Sequence, residues 1–372
     1  MHLYRYIFIF ILFFSCAGKN DDTIRYLPDP DKDYTQIELK LLEDALADDP
    51  DDDELLYKRA KLYFKLKDLE KALIDISKAI DENDDNEAYY LLKAKILLGS
   101  QKYKEALATL QLAEKYEVDN LELNLVRAEI YLNLKDYRLA LDKAHRAQRL
   151  MPSDYRVFHL KGKIYNALND TTRSIENFKA AIMKRRDVPE TYQDLAELYE
   201  NQGKLESAMK EIIAGLSFNP QNAFLQFRKG SIYEKMGLKD SAKVLYQMAV
   251  DLDPSLFWAE YKLGVWYMDV GKYEAAEPYF QKVVKYTDQL PKANYFLGLC
   301  YWYTGKYDYA VRLLEQVVKT DTSNHDAVFQ LNKIKTKLRL VTDSNITAFK
   351  RQDSLFKMRE LRRKKDSLQR NN

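Results

Sequence analysis

GVWYMDVGKYEAA (residues 264–276) and GLCYWYTGKYDYA (298–310) begin 34 residues apart and share an opening glycine, a tyrosine at the fourth position, a central Gly-Lys-Tyr and a closing alanine. The interval continues towards the N-terminus. Small residues recur at Ala60, Ala94, Ala128, Gly162, Ala196, Gly230, Gly264 and Gly298, always 34 apart. Three positions after each stand Tyr63, Leu97, Tyr131, Tyr165, Tyr199, Tyr233, Tyr267 and Tyr301. Twelve after come Ala72, Ala106, Ala140, Ser174, Ala208, Ala242, Ala276 and Ala310, and sixteen after come Ile76, Leu110, Ala144, Phe178, Ile212, Tyr246, Phe280 and Leu314. Eight copies without an insertion cover 53–324. A fixed period of this length marks an array in which each unit buries its apolar face against the next.

Each copy holds two amphipathic segments separated by a short break. In the last four copies the break carries Gly203, Gly237, Gly271 and Gly305, suited to the left-handed residue that ends a helix. Lys67, Gln101, Lys135 and Asn169 occupy that place earlier, which predicts less ideal turns there. Pro152, Pro220 and Pro254 close three copies, where proline stops a helix.

The small-x-x-Tyr, Ala and Pro positions resemble the tetratricopeptide repeat, a 34-residue helix–turn–helix. The resemblance covers nearly three quarters of the chain and implies an all-α fold, a right-handed α-solenoid. The chain departs from the pattern at the fourth residue of a copy, often Trp in the family and here Leu56, Tyr90, Asn124, Phe158, Tyr192, Gln226, Glu260 and Asn294. The expected layout is a signal peptide at 1–15, a tether at 16–33 and a capping half-repeat at 34–52. The eight repeats follow at 53–324, then a capping helix at 325–340 and a basic tail at 341–372. The tail carries nine Lys or Arg against four Asp or Glu and is expected to be dispensable for folding of the array.

The leader MHLYRYIFIFILFFSCAG has one early Arg5 and an apolar run, Ile7–Phe14, too short to span a bilayer and suited to a signal-peptide core. Leu12 to Ala17, Leu-x-x-Ser-Cys-Ala, resembles a bacterial lipoprotein box, which implies acylation of Cys16 and membrane attachment through that lipid. Lys19-Asn20-Asp21-Asp22 loosely resembles the charged export tag of surface lipoproteins in the Bacteroidetes. The localisation expected from both is an outer-membrane lipoprotein facing periplasm or surface. A simple secretory signal with an incidental cysteine is the other reading.

The chain is 372 residues, 46% hydrophobic with 28 Tyr and a formal charge of only +2, so no global charge points to nucleic acid. The four histidines show no metal-ligand spacing, and Cys300 reads as a small buried hydrophobe. No phosphate-binding loop, nucleophile elbow or zinc-protease motif is present. No enzymatic activity, metal or cofactor is therefore expected. The acidic run Ala47–Glu54 lacks the glycine and ligand spacing of a calcium loop and suits a helix start.

In the resembled family, residues two, five, nine, twelve and thirteen of a copy line a concave groove. In copies two to five these places are mixed and charged, including His159, Lys163, Glu197 and Glu200. In copies six to eight they turn aromatic: Phe224, Phe227, Trp258, Tyr261, Tyr295, Trp302 and Tyr303, with Val265, Met268 and Leu299. These aromatics are the candidate partner-binding groove, expected to form one continuous wall, while Trp266, in the place of Cys300, is expected to be buried. The fifth and ninth places lack the Lys and Asn of the clamp that captures acidic C-terminal peptides. An aromatic patch of this extent marks interaction sites, and Trp and Tyr are enriched at hot spots. The competing reading is that the stripe packs on the chain's own C-terminal helix or tightens the superhelix. The function expected is a membrane-anchored adaptor or scaffold in the bacterial envelope, for secretion, motility or envelope assembly, holding a protein or extended peptide. The alternative is a glycan- or peptidoglycan-binding envelope protein that stacks sugars on the same aromatics.

Overall fold

A computed structural model describes residues 30–112, 120–287, 290, 292–339, 354–360 and 362 of the chain. The leader and Cys16 lie outside them. The described residues are helical with turns, and no strand occurs among them. The chain divides into two compact units, Met1–Val118 and Asp119–Asn372, taken separately below.

In the first unit α1 (Pro30–Asp48) precedes two helix pairs, α2 (Asp53–Lys65) with α3 (Leu69–Glu82) and α4 (Glu87–Gly99) with α5 (Tyr103–Leu112). The second unit holds six pairs. They are α6 (Leu121–Asn133) with α7 (Tyr137–Leu150), α8 (Tyr155–Ala167) with α9 (Thr171–Lys184), and α10 (Pro189–Asn201) with α11 (Leu205–Phe218). Then come α12 (Ala223–Lys235) with α13 (Lys239–Leu252), α14 (Phe257–Asp269) with α15 (Tyr273–Tyr286), and α16 (Lys292–Tyr303) with α17 (Tyr307–Thr320). α18 (His325–Arg339) follows, and 354–360 is helical as well. The second helices start at 69, 103, 137, 171, 205, 239, 273 and 307, so the 34-residue period of the sequence is also the period of the helices. Each helix packs mainly on its neighbours in the chain, the organisation of an α-solenoid.

Each pair is closed at its centre by two rows of the repeat. The residue at the small position is buried with the residue sixteen further on. In six of the eight copies glycine goes with a large aromatic and alanine with a smaller partner, while Ala94 and Gly298 both have leucine there. Ala60, Ala128 and Ala196 lie in copies whose partner is Ile76, Ala144 or Ile212; Gly162, Gly230 and Gly264 face Phe178, Tyr246 and Phe280. A Cβ added at Gly162 would sit 2.6 Å from the Phe178 ring. Ser174 replaces the usual alanine and donates its hydroxyl to the Gly162 carbonyl at 2.8 Å, so the buried polar group is satisfied.

All eight turns share one hydrogen-bond scheme. In copy one the Asp68 N–H donates to the Tyr63 carbonyl at 2.9 Å and the Lys67 N–H to Phe64 at 3.1 Å; in copy seven Lys272 donates to Tyr267 at 2.8 Å and Gly271 to Met268 at 2.9 Å. This is the Schellman closure, and it needs a left-handed residue. Lys67, Gln101, Lys135 and Asn169 adopt that conformation, at φ of 59–65°, as do the four glycines at 73–82°. The earlier turns thus keep the geometry and carry its strain. Three of them recover part of the cost at the next residue, because Asp68, Asp136 and Asp170 cap the following helix with a side-chain bond, whereas Lys204, Leu238, Lys272 and Lys306 do not.

Both ends of the array are covered. Leu46 of α1 joins the core of the first pair with Leu56, Ala60 and Ile76, and Leu331 and Ile334 of α18 close over Leu314. The acidic stretch before α2 has local roles. Asp52 accepts from the Leu55 N–H at 2.8 Å, and Asp53 accepts from Tyr89 at 2.8 Å and Asn83 at 2.7 Å. Among the described residues no cluster of His, Cys, Asp and Glu could hold a metal, and no helix is long and apolar enough to cross a membrane.

Candidate partner-binding face

The first helices of the second unit carry the expected groove residues, and the structure separates them into three kinds. Phe227 is a correction: at 7% exposure it belongs to the core with Tyr246, Ala259 and Leu263, its ring 5.6 Å from Tyr246. The fifth place of this copy lies where the first helix of the next copy approaches, and a bulky apolar side chain there is enclosed by it.

Tyr261, Tyr295 and Trp302 are half-buried. The Tyr261 ring lies 5.9 Å from both Phe280 and Phe296, and Tyr295 lies 5.4 Å from Phe296, so these four rings interlock copies seven and eight. Tyr295 and Trp302 also pack on the Leu314–Leu331–Ile334 cluster, with Trp302 5.0 Å from Tyr307 and under the Lys337 ammonium at 5.2 Å. Lys337 and Leu331 belong to α18, so this part of the stripe packs on the C-terminal helix. Leu299 is buried.

Trp258 and Tyr303 remain open, at 45% and 51% exposure, with Phe224 half-buried 6.0 Å from Phe227. Tyr303 is braced by a parallel stack on Tyr273, centroids 4.1 Å apart, so one face of its ring is fixed before any ligand arrives. The sequence reading did not single out Tyr273, which starts a second helix; its place two residues after the glycine of the turn was the available signal. Trp266 is the second correction. It is only half-buried, like Tyr261 and Trp302, and lies edge-on to Tyr267 at 5.1 Å with the Lys243 ammonium 5.1 Å above it. Cys300, in the same place of the next copy, is fully buried. An indole is too large for that slot and lies across its edge.

Towards copies four to six the same face is built from charges that bind one copy to the next. Glu200, with its side chain 1% exposed, accepts from Arg228 at 2.5 Å and pairs with Lys235. Glu234 accepts the Tyr246 hydroxyl at 2.6 Å and pairs with Lys262 at 2.8 Å; burial, helped by this carboxylate, pushes the phenol well up. His159 lies 2.9 Å from the Thr191 hydroxyl through Nδ1 and 3.4 Å from Asp194 through Nε2. Burial pulls His159 down to about 4, with Lys163 adding to it, and pushes Asp194 up to about 6. Thr191 is fully buried, so this hydroxyl–imidazole–carboxylate line joins two copies and offers no accessible nucleophile.

The face therefore offers two half-free rings, one of them pre-stacked, beside a sector whose charges are paired internally. Comparisons with known proteins accord with the helix pairs. Family models described as tetratricopeptide repeat match 225–256 and 261–325. The model described as anaphase-promoting complex, cyclosome, subunit 3 matches 31–113, and that for ChAPs (Chs5p-Arf1p-binding proteins) matches 76–214. No curated protein sequence matches the chain. Among solved structures, a tetratricopeptide repeat protein from Parabacteroides merdae is similar at 17% identity and a TM-score of 0.50, over 67% of this chain and 98% of that one. Yeast Tom70 is similar at 17% identity and a TM-score of 0.62, over 78% of this chain and 63% of that one. The human IFIT1 dimer with m7Gppp-AAAA is similar at 16% identity and 0.53, over 77% and 68%. At these identities the likenesses speak for the fold alone. Family models, period and turn geometry agree: the chain belongs to the tetratricopeptide repeat family.

Proposed function

We propose that the chain is a protein-interaction scaffold, and that the first-helix face of copies six to eight holds an extended segment of a partner polypeptide. The observation that carries this reading is the exposed pair Trp258 and Tyr303. Aromatics on a rigid helix face lose little entropy on binding and desolvate a large area, and the stack on Tyr273 holds the Tyr303 ring still. The ion pairs of copies four to six favour a scaffold of fixed pitch, since each links one copy to the next. We further propose attachment to the envelope through a lipid on Cys16, as the leader motif implies, with an adaptor role in secretion, motility or envelope assembly.

A photo-crosslinking residue at 258 or 303, in cells, tests the face. Both positions should capture the same polypeptide, and a control at Trp266 should not. Equal capture from 266 would overturn the reading. Enrichment of glycan in place of polypeptide would favour the sugar-stacking alternative. For the anchor, Cys16→Ser should abolish acyl labelling and leave the precursor uncleaved; normal processing and fractionation would refute it.

A further inference from the structure

Lys306, between α16 and α17, has a role that the repeat pattern does not require. Its ammonium pairs with Glu277 of α15, both side chains being nearly buried at 12% and 9% exposure. Gln281 donates to the same carboxylate at 2.9 Å and lies 3.2 Å from the Tyr301 hydroxyl. The Tyr301 ring lies 5.5 Å from the ammonium on one side, and the Phe356 ring lies 4.7 Å from it. Phe356 comes from the tail. It is the partly buried residue of a helical stretch whose Leu355, Met358 and Arg359 are exposed. Burial raises the pKa of the Tyr301 phenol, with the negative charges of Glu277 and Glu360 adding to it.

We propose that residues 354–360 are an intramolecular ligand. Phe356 seats on a site made by Lys306, Tyr301, Glu277 and Gln281, and the tail closes this site in cis. Three features point to a docked segment and not to a continuation of the core. The contact centres on one ring over a cation already held by a carboxylate. The apolar residues Leu355 and Met358 face outwards. The segment is joined to α18 by only fourteen residues, 340–353, and covalent connection over so short a length raises its local concentration at the site. The seat uses Tyr301, whereas Trp302 and Tyr303 make their ring contacts to Tyr307 and Tyr273. The docking site is thus separate from the partner-binding face. Its ligand class is a short helix that presents one aromatic ring to the ammonium of Lys306. A cation–π contact needs a ring and a cation, so neither a bulky aliphatic nor a neutral Lys306 substitute should sustain it.

Hydrogen exchange on the full chain tests this, with a synthetic peptide of residues 350–364 as the reference for an undocked tail. Amides of 354–360 should exchange at least tenfold slower in the chain than in the peptide. Phe356→Ala, Phe356→Leu and Lys306→Met should remove that protection, Phe356→Tyr should keep it, and α10 to α13 should be unaffected throughout. Tail exchange at the peptide's rate in the unmodified chain would overturn the proposal, as would protection that survives Phe356→Ala. If Lys306→Met also loosens α15 to α17, the three Phe356 variants decide, since that side chain lies outside the repeats.

Discussion

Gly162→Ala sets two general effects against each other, and the structure decides the sign. Alanine in a helix interior is favoured over glycine by about 1 kcal/mol, so a spacious site would gain stability. At Gly162 the added Cβ would lie 2.6 Å from Phe178 Cδ1, 2.7 Å from Cε1 and 3.0 Å from Cγ. Carbon atoms rest about 3.5–4.0 Å apart, so the ring must retreat by roughly 1 Å. It has little room to do so. Phe178 is buried in a cluster with Leu195 and Leu198, and its ring meets His159 at 5.5 Å. Overpacking of this kind costs about 1–3 kcal/mol, which leaves a net loss of about 0–2 kcal/mol after the helix gain. Phe178→Ile alone should leave a void and cost about 2 kcal/mol. The double variant recreates the Ala–Ile arrangement of copies one and five, so it should be more stable than the sum of the singles by about 1–2 kcal/mol. Urea unfolding followed by circular dichroism, with unchanged m-values as the check on cooperativity, measures all three. A stabilising Gly162→Ala that is additive with Phe178→Ile would show that the two rows do not constrain each other.

The remaining expectations test the turns, the aromatic face and the buried pair. Lys135→Gly removes a left-handed lysine, φ 63°, and should stabilise by up to about 1 kcal/mol in the same assay; a loss would mean that the turn holds no strain. Trp302→Ala should cost about 2 kcal/mol because its ring packs on Tyr307 and the α18 cluster, while Trp258→Ala should cost less than about 1 kcal/mol. The opposite order would reverse the division of that face into packing and exposed rings. His159, lowered to about 4, contributes stability that is full above its ordinary 6.5 and lost as pH falls towards 4. Asp194, raised to about 6, contributes stability that is full below its ordinary 3.8 and lost as pH rises through 6. The two oppose between about pH 4 and 6.5. Relative to the unmodified chain, Asp194→Asn should lose stability on acidification through that window and His159→Gln should gain it; parallel profiles for the two variants would refute the assignment.

The fold was legible because its determinants are periodic. A small residue every 34 positions, a tyrosine three later and an alanine twelve later report contacts inside one copy, and each copy repeats the evidence. The size match between Gly162, Gly230, Gly264 and their aromatic partners was also present in the sequence, as two rows to be read side by side. The turns were misjudged in one respect. Lys67, Gln101, Lys135 and Asn169 suggested a looser geometry, yet they adopt the same left-handed conformation as glycine, because the helices on both sides leave no other path.

The candidate site was less legible, and the reason is geometric. Helical position fixes the direction of a side chain from its own axis, but whether it meets solvent depends on the helix that arrives next. Phe227 and Trp258 were assigned to one stripe, yet α14 encloses the first, while the second, on α14 itself, stays open. Trp302 and Tyr303 are neighbours in the chain, yet α18 reaches one and Tyr273 braces the other. Position ten shows the same limit from the buried side, since the slot that encloses Cys300 cannot enclose Trp266. Period alone therefore identifies a face, and side-chain volume together with the next copy's approach decides which residues on it remain free to bind. On this face those residues are Trp258 and Tyr303, and Tyr303 rests on Tyr273, a ring supplied by the preceding copy.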